Sequence, residues 1–128
     1  MTIKTAFTEL VGCKHPIQNA GMGTASPALA YAVAAAGGLG TFSGVGPNID
    51  QLREVVSGEA VPAGSTLAMN FLMPFLDDLA VIDAVAEHVR VVEFFYGEPR
   101  TDCVGRTHAG GALASWQVGS LEEAKQAR

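Results

Sequence analysis

The chain alternates, over its whole length of 128 residues, between short apolar runs and longer segments with helical periodicity. The apolar runs predict strands at 16–20, 39–43, 67–71, 91–95 and 112–117. A strand followed by a helix, five times over, is typical of an α/β protein with a parallel sheet and right-handed crossovers. Two architectures remain open: a doubly wound sheet, or a partial TIM (β/α)8 barrel with about five of its eight βα units, because a whole barrel takes roughly 250 residues.

Helices are predicted from apolar periodicity together with capping residues. Ser26 before a proline is suited to begin a helix. Asn48 with Gln51, and Ser120 with Glu123, have the spacing of a capping box. The predicted helices span 27–36, 49–56, 74–88, 100–109 and the residues from 120 onward.

The composition is that of a compact globular protein. Of the residues, 48% are hydrophobic and 16% are charged, a balance that disordered and collagen-like chains lack. The net charge of -5 leaves no basic surface for nucleic acid or for an anionic membrane. We therefore expect neither nucleic acid nor a membrane as a partner.

Nothing in the sequence predicts export, membrane insertion or a metal site. The first twelve residues lack the apolar segment and cleavage site of a signal peptide. The most apolar stretch, 28–40, is too short to span a bilayer. Cys13 and Cys103 are too few for a disulfide framework and lack metal-ligand spacing. We expect a cytoplasmic protein.

A turn of small residues follows the first predicted strand, at the edge where parallel α/β folds bind ligands. Ala20, Gly21 and Gly23 leave space for a flat ligand against the backbone, and Met22 offers a polarizable side chain. The alternative is an ordinary turn between a strand and a helix, which glycines serve equally well. A second glycine-rich segment, 38–40, lacks the dinucleotide-binding spacing and predicts a strand close to another backbone.

Three polar residues lie in or directly after predicted strands. Asn70 offers one acceptor and two donor hydrogens, which suit a heterocycle or a ribityl hydroxyl but equally suit a cap for local backbone. Gln117 has the same two interpretations. Glu93 lies inside an apolar strand, so it is a candidate for a catalytic base or for a polar plug in a barrel interior.

No proton-transfer group stands out in the sequence. His15 precedes the first predicted strand, at the wrong end for a site, and neither His88 nor His108 has a partner at metal-ligand spacing. No Ser-His-Asp or Cys-His set can be assembled. The residues therefore predict a cradle for a cofactor without an identified catalytic residue.

Four segments, in this order, resemble the amino-terminal half of the nitronate monooxygenase family, formerly called 2-nitropropane dioxygenases. They are PIQNAGM at 16–22, AAGGLG at 35–40, Asn70-Phe71, and SLEEA at 120–124. The resemblance runs from about Leu10 to the last residue, Arg128. Related FMN barrels, such as inosine monophosphate dehydrogenase and flavin-dependent enoyl reductases, share the style of the single motifs. On this resemblance, residues 1–128 are the amino-terminal part of one FMN-binding TIM-barrel domain.

The resemblance implies a barrel that holds FMN non-covalently at the carboxyl ends of its strands and oxidises alkyl nitronates with O2 to a carbonyl compound and nitrite. Carried over by position, Ala20, Gly21 and Met22 would lie against the flavin ring, and Asn70 would contact FMN. Gln117 would lie near the flavin, where some relatives have lysine. The family's general-base histidine would lie beyond Arg128, so no catalytic residue is assigned.

The resemblance also predicts that three βα units of the barrel are missing. Open strand edges favour pairing with other chains, so a homo-oligomer is one expectation. We expect the 128-residue chain alone to bind FMN poorly and to lack nitronate turnover. Two alternatives remain: a flavin-dependent enoyl reductase or related FMN barrel, and a non-catalytic truncated product that survives by self-association.

Overall fold

The computed structural model describes residues 3–23 and 26–127 and contains a parallel four-stranded sheet with its strands in chain order. The strands are β1 (Leu39–Ser43), β2 (Thr66–Leu72), β3 (Val91–Phe95) and β4 (Leu113–Trp116). The helices are α1 (Ala6–Val11), α2 (Pro27–Ala35), α3 (Ile49–Ser57), α4 (Ala80–Ala86), α5 (Thr101–Ala109) and α6 (Leu121–Gln126). The predicted α/β class is confirmed, and a strand order without reversal is that of a partial TIM (β/α)8 barrel.

One face of the sheet, here called the helix-packed face, carries the main apolar core. Because side chains alternate along a strand, Phe42, Met69, Phe71 and Phe94 all project to this face. The buried helix residues that cover them are Ala30 and Ala34 of α2, Leu52 and Val56 of α3, Ile82 and Val85 of α4, and Cys103 of α5. This layer between sheet and helices supplies most of the apolar burial that stabilises the fold.

The glycine-rich segment 38–40 permits close packing of backbone on backbone. A Cβ added at Gly40 would lie 2.1 Å from the carbonyl oxygen of Ala30, and one added at Gly38 would lie 2.8 Å from the carbonyl oxygen of Ile17. Glycine is therefore required for α2 and the preceding segment to approach β1 this closely. The prediction of a strand close to another backbone is confirmed.

The opposite face, here called the inner face, changes character along the strands. Near its amino-terminal end lies an apolar floor, a buried cluster made by Leu39, Ala68, Val91, Val11 and Cys13. Near its carboxyl end lies a polar row, whose members are Cα partners in adjacent strands: Ser43, Asn70, Glu93 and Ser115. The inner face therefore has an apolar closed end and a polar end.

Helix α1 closes the amino-terminal end, and the sequence patterns did not predict it. The guanidinium of Arg90, just before β3, donates from Nη2 to the carbonyl oxygen of Leu10 at 2.7 Å and from Nε to that of Val11 at 3.3 Å. Thr5 and Thr8 cap the start of the helix reciprocally. The sequence signal for this helix is that pair of threonines at capping-box spacing, since no apolar run marks the segment.

The predicted strand at 16–20 is wrong as a full strand. Only Gln18 pairs, in an isolated parallel bridge with Leu39. Beyond it the side chain of Asn19 replaces the backbone: its Oδ1 accepts from the Thr41 amide at 2.9 Å, and its Nδ2 donates to the Thr41 carbonyl oxygen at 2.8 Å. The segment therefore lies alongside β1 without forming a regular ladder.

Two helix predictions also need correction. The predicted helix at 74–88 is a 3-10 turn at Met73–Phe75 and the short helix α4, with an irregular segment between them. The Asp78 carboxylate accepts from the amide of Ala80, which favours a start of α4 at that point. Ser26 has extended N-cap geometry, but its side chain makes no capping bond.

Among residues 3–23 and 26–127, no helix is long and apolar enough to cross a bilayer.

At the carboxyl end of the chain, the helix predicted from residue 120 onward is confirmed as α6, with Ala127 as its C-cap. Arg128 lies outside the described residues. The family's general-base histidine, which the resemblance assigns to a position beyond Arg128, is therefore not tested by this structure. That assignment stays a prediction.

Candidate functional site

A pocket of about 630 Å³ lies at the carboxyl ends of the strands. Its wall is formed by the turn after the bridge, by strand ends and by the loop after β3. The lining residues are Gln18, Asn19, Ala20, Gly21, Met22, Gly23, Val45, Asn70, Leu72, Glu93, Phe95, Tyr96 and Gln117. The residues singled out from the sequence for cofactor contact, Ala20, Gly21, Met22, Asn70 and Gln117, are all among them. The structure therefore brings them together around one cavity.

The turn at 19–23 is held against the sheet by its own residues. Asn19 fastens it to β1 through the two bonds to Thr41 described above. A Cβ added at Gly21 would lie 2.6 Å from the Cβ of Asn70 and 2.7 Å from the carbonyl oxygen of Phe42. Gly21 is therefore needed for contact between the turn and the sheet, which is a different reason from the ligand space expected from the sequence.

Asn70 and Glu93 form the polar centre of the pocket. They are Cα partners on β2 and β3, and the Nδ2 group of Asn70 donates to Oε2 of Glu93 at 2.9 Å. Asn70 is buried, with 5% of its surface exposed, and Glu93 is half-buried. The Asn70 side chain therefore does not cap local backbone: its amide contacts a carboxylate on the neighbouring strand.

The rim of the pocket is more exposed and partly aromatic. Met22 is 59% exposed, and Gln117 is also exposed. The backbone N–H of Gln117 donates to the Phe94 carbonyl oxygen at 2.8 Å. Tyr96 has a left-handed backbone with φ of 60°, and its ring stacks on that of Phe95 with centroids 3.8 Å apart. An unusual backbone conformation beside a pocket is a common feature of ligand sites.

The described lining residues include a carboxylate but no cation. Glu93 and Tyr96 are the ionisable members, and no Lys, Arg or His is among the lining residues. Within the described parts of the chain, no cluster of three metal-ligating side chains exists. Cys103 of α5 is buried in the core, where desolvation raises the pKa of its thiol, so it is not an activated nucleophile.

Several lining residues were absent from the sequence-based site. Gln18, Val45 and Leu72 had no distinguishing pattern, because apolar and amide side chains are common at strand ends. Tyr96 precedes Gly97, and a glycine after a strand is a signal for the sharp turn that presents the tyrosine. Glu93 was identified as an unusual carboxylate, but its partner across the sheet could not be read from one strand.

The fold and site together define a partial (β/α)8 barrel: parallel strands in chain order, helices on one face, a closed amino-terminal end and a pocket at the carboxyl ends. No protein-family model matches the sequence. Among curated proteins, it is 30% identical over 127 residues to (3aS,4S,5R,7aS)-5-hydroxy-7a-methyl-1-oxo-octahydro-1H-indene-4-carboxyl-CoA dehydrogenase of Rhodococcus jostii (strain RHA1). The match covers 98% of this chain and 36% of that protein.

Two solved structures share the fold. FabK from Thermotoga maritima superposes with a TM-score of 0.84 at 31% identity, over 97% of this chain and 40% of FabK. Nitroalkane oxidase from Streptomyces ansochromogenes superposes with a TM-score of 0.74 at 22% identity, over 96% of this chain and 45% of the oxidase. The chain thus spans less than half the length of each of these three proteins, and two of the three are oxidoreductases by name.

Proposed function

We propose that this chain forms the amino-terminal part of one FMN-binding barrel domain in an oxidoreductase resembling nitronate monooxygenase. The reaction would oxidise an alkyl nitronate with O2 to a carbonyl compound and nitrite. One observation carries the proposal: the 20–22 turn, Asn70 and Gln117, which match the family's flavin-contacting positions and come from three separate segments, line a single pocket.

The pocket residues fit the ring of a flavin. Leu72, Phe95 and Met22 supply apolar and polarizable surface for a flat ring, while Asn70 and Gln117 supply hydrogen-bonding groups at its edge. The turn at Ala20-Gly21 lies flat against the sheet and so leaves the cavity open. When bound, FMN would supply the electron-transfer chemistry, and the protein would bind, orient and shield it.

A second candidate is a flavin-dependent enoyl reductase or a related FMN barrel. The carboxylate of Glu93 among the described lining residues favours this candidate, because a nitronate is an anion and Glu93 would repel it. The relative from Rhodococcus is named as a dehydrogenase of a CoA thioester, which also fits a reaction on an acyl substrate. Both candidates require the same cofactor cradle.

FMN binding, which both candidates share, is tested on the full-length enzyme of which this chain would form the amino-terminal part. The purified enzyme is examined by native mass and visible spectrum. A yellow protein that releases FMN on denaturation is expected. Consumption of O2 with a primary alkyl nitronate supports the first candidate, and oxidation of a reduced nicotinamide with an enoyl thioester supports the second. A colourless oligomer that takes up no added FMN would contradict both and leave a self-associating, non-catalytic product.

A further inference from the structure

We propose that Glu93 is a positioning residue, which fixes the side-chain amide of Asn70 so that the Asn70 carbonyl oxygen faces the ligand. The proposal rests on the proposed function where it takes the ligand to be FMN. It goes further by naming the edge of the ligand that the polar end of the pocket recognises: an edge with an N–H or O–H donor.

The orientation of the Asn70 amide follows from the chemistry of its partner. Parallel register sets Asn70 and Glu93 opposite each other on the inner face, and their side chains meet at 2.9 Å. A carboxylate accepts hydrogen bonds and has none to donate, so only the NH2 group of Asn70 can turn toward it. The usual ambiguity between the oxygen and nitrogen of an amide is thereby removed.

The remaining oxygen of Asn70 is then available to the pocket. Within the described residues, the bond to Glu93 is the only side-chain hydrogen bond of Asn70, so Oδ1 has no protein donor there. The turn at Gly21 lies against the Cβ of Asn70 and restricts movement of the side chain in that direction. On this proposal, Asn70 Oδ1 and the second oxygen of Glu93, for which the described residues offer no hydrogen-bond partner, act as a pair of acceptors toward the pocket that both residues line.

Two acceptors in the pocket favour a ligand edge that carries hydrogen-bond donors. A ligand edge with N–H groups donates hydrogen bonds to both acceptors. An edge with only carbonyl oxygens has no donor for them, so it loses its hydrogen bonds to water without replacement. The flavin ring carries both kinds of edge. The pair would therefore hold the ring by its N–H-bearing edge and disfavour the reversed orientation.

The first experiment examines the amide without any ligand. In flavin-free, 15N-labelled full-length protein, the Asn70 side-chain NH2 resonances should shift on Glu93→Ala and stay unchanged on Glu98→Ala, which removes an exposed carboxylate outside the pocket. Unchanged Asn70 resonances in folded Glu93→Ala would overturn the proposal, because the carboxylate would not be holding the amide.

The second experiment measures the FMN dissociation constant. Glu93→Ala should weaken binding about tenfold, the size of one hydrogen bond lost through misorientation. Glu93→Gln should lose only about threefold, because its amide oxygen still accepts from Asn70 although its NH2 group replaces the second acceptor. In an Asn70→Ala background, Glu93→Ala should add less than about twofold. Equal losses in both Glu93 variants would indicate a role for the charge itself and contradict positioning.

A third experiment exchanges the donor and the acceptor between positions 70 and 93. It remains informative even if the Glu93→Ala variant does not fold. Asn70→Asp sets two carboxylates against each other and should weaken FMN binding. Adding Glu93→Gln restores a donor on the other side and should recover most of the affinity. No recovery in the folded double variant would contradict the proposal. If the Asn70 NH2 resonances shift on Glu93→Ala but the wild type binds no FMN, the proposed function is overturned and the fixed amide is still supported.

Discussion

The two ends of the inner face are built from the same strands and differ in almost every other respect. At the amino-terminal end, Leu39 and Ala68 are fully buried beneath α1, and none of the described pocket-lining residues comes from that floor. At the carboxyl end, Asn70 and Glu93 share a hydrogen bond beside an open cavity. In a parallel barrel the first end serves stability and the second serves ligand binding.

The difference shows that two positions along one strand can have different roles, one in stability and the other in ligand binding. Ala68 and Asn70 are two positions apart on β2, so both project to the inner face. The first contributes to the closed floor and the second to the pocket. Substitutions in the floor should therefore change the free energy of unfolding, and substitutions around the pocket should change ligand binding.

The largest expected effect is in the apolar floor. Leu39→Ala removes a side chain that is 1% exposed and should cost about 3 kcal/mol of unfolding free energy, from lost burial and a residual cavity. Urea unfolding measures it. The matched control is Leu121→Ala, at a leucine that is 71% exposed, which should change stability by less than about 0.5 kcal/mol. Equal losses of unfolding free energy in the two variants would contradict the assignment of Leu39 to a floor that stabilises the fold.

Overpacking beside the floor should come next. In Gly38→Val the new Cβ would lie 2.8 Å from the Ile17 carbonyl oxygen and 2.9 Å from a methyl of Val33. We expect a loss of about 2 kcal/mol, seen as a lower thermal midpoint. Gly105→Val is the control, since nothing lies within 4 Å of a Cβ at Gly105. An unchanged midpoint in Gly38→Val would refute the close junction.

At the open end, Asn70→Ala in the full-length enzyme should weaken FMN binding about tenfold, because one ligand contact is lost. The free energy of unfolding should fall by no more than about 1 kcal/mol, since water in the pocket can solvate the Glu93 carboxylate. Isothermal titration with FMN and urea unfolding separate the two effects. A dissociation constant equal to that of the wild type would remove Asn70 from the site.

The attachment of α1 should contribute a smaller amount. Arg90→Ala deletes the two bonds to the carbonyl oxygens of Leu10 and Val11 and should cost about 1 kcal/mol. Hydrogen exchange should quicken in α1 before any other helix. Arg53→Ala, which removes an exposed ion pair with Asp50 at 3.6 Å, is the control and should change little. Slow exchange in α1 of the Arg90 variant would argue against this closure.

The smallest effect is expected at the rim. Gln117→Lys places an ammonium near the flavin, where it should favour the anionic reduced form and raise the reduction potential by on the order of 20 mV, about 1 kcal/mol for two electrons. Gln126→Lys adds the same charge in α6, away from the lining residues, and should leave the potential unchanged. A potential that does not rise in the first variant would count against Gln117 lying near the ring.

Four of the five predicted strands and most helix starts could be read from the sequence because their signals are local. The Asn48 and Gln51 side chains cap α3 as the spacing indicates, and Ser120 caps α6. Helix α1 and the split of the 74–88 segment were missed. The split depends on tertiary contacts, the packing of Leu76 and Leu79 against the core. Helix α1 has a local signal in Thr5 and Thr8, but its attachment depends on the guanidinium of Arg90.

The sequence by itself determined the parallel α/β class and four of its strands, and it predicted five residues for the site, which stay a prediction. Apolar periodicity and turn residues act over a few neighbouring positions, so one chain segment is enough to reveal them. Only the tertiary structure decided that Asn70 is held by Glu93 and that Gly21 is required by contact with the sheet. Those facts depend on register between strands more than twenty residues apart, which no local pattern encodes.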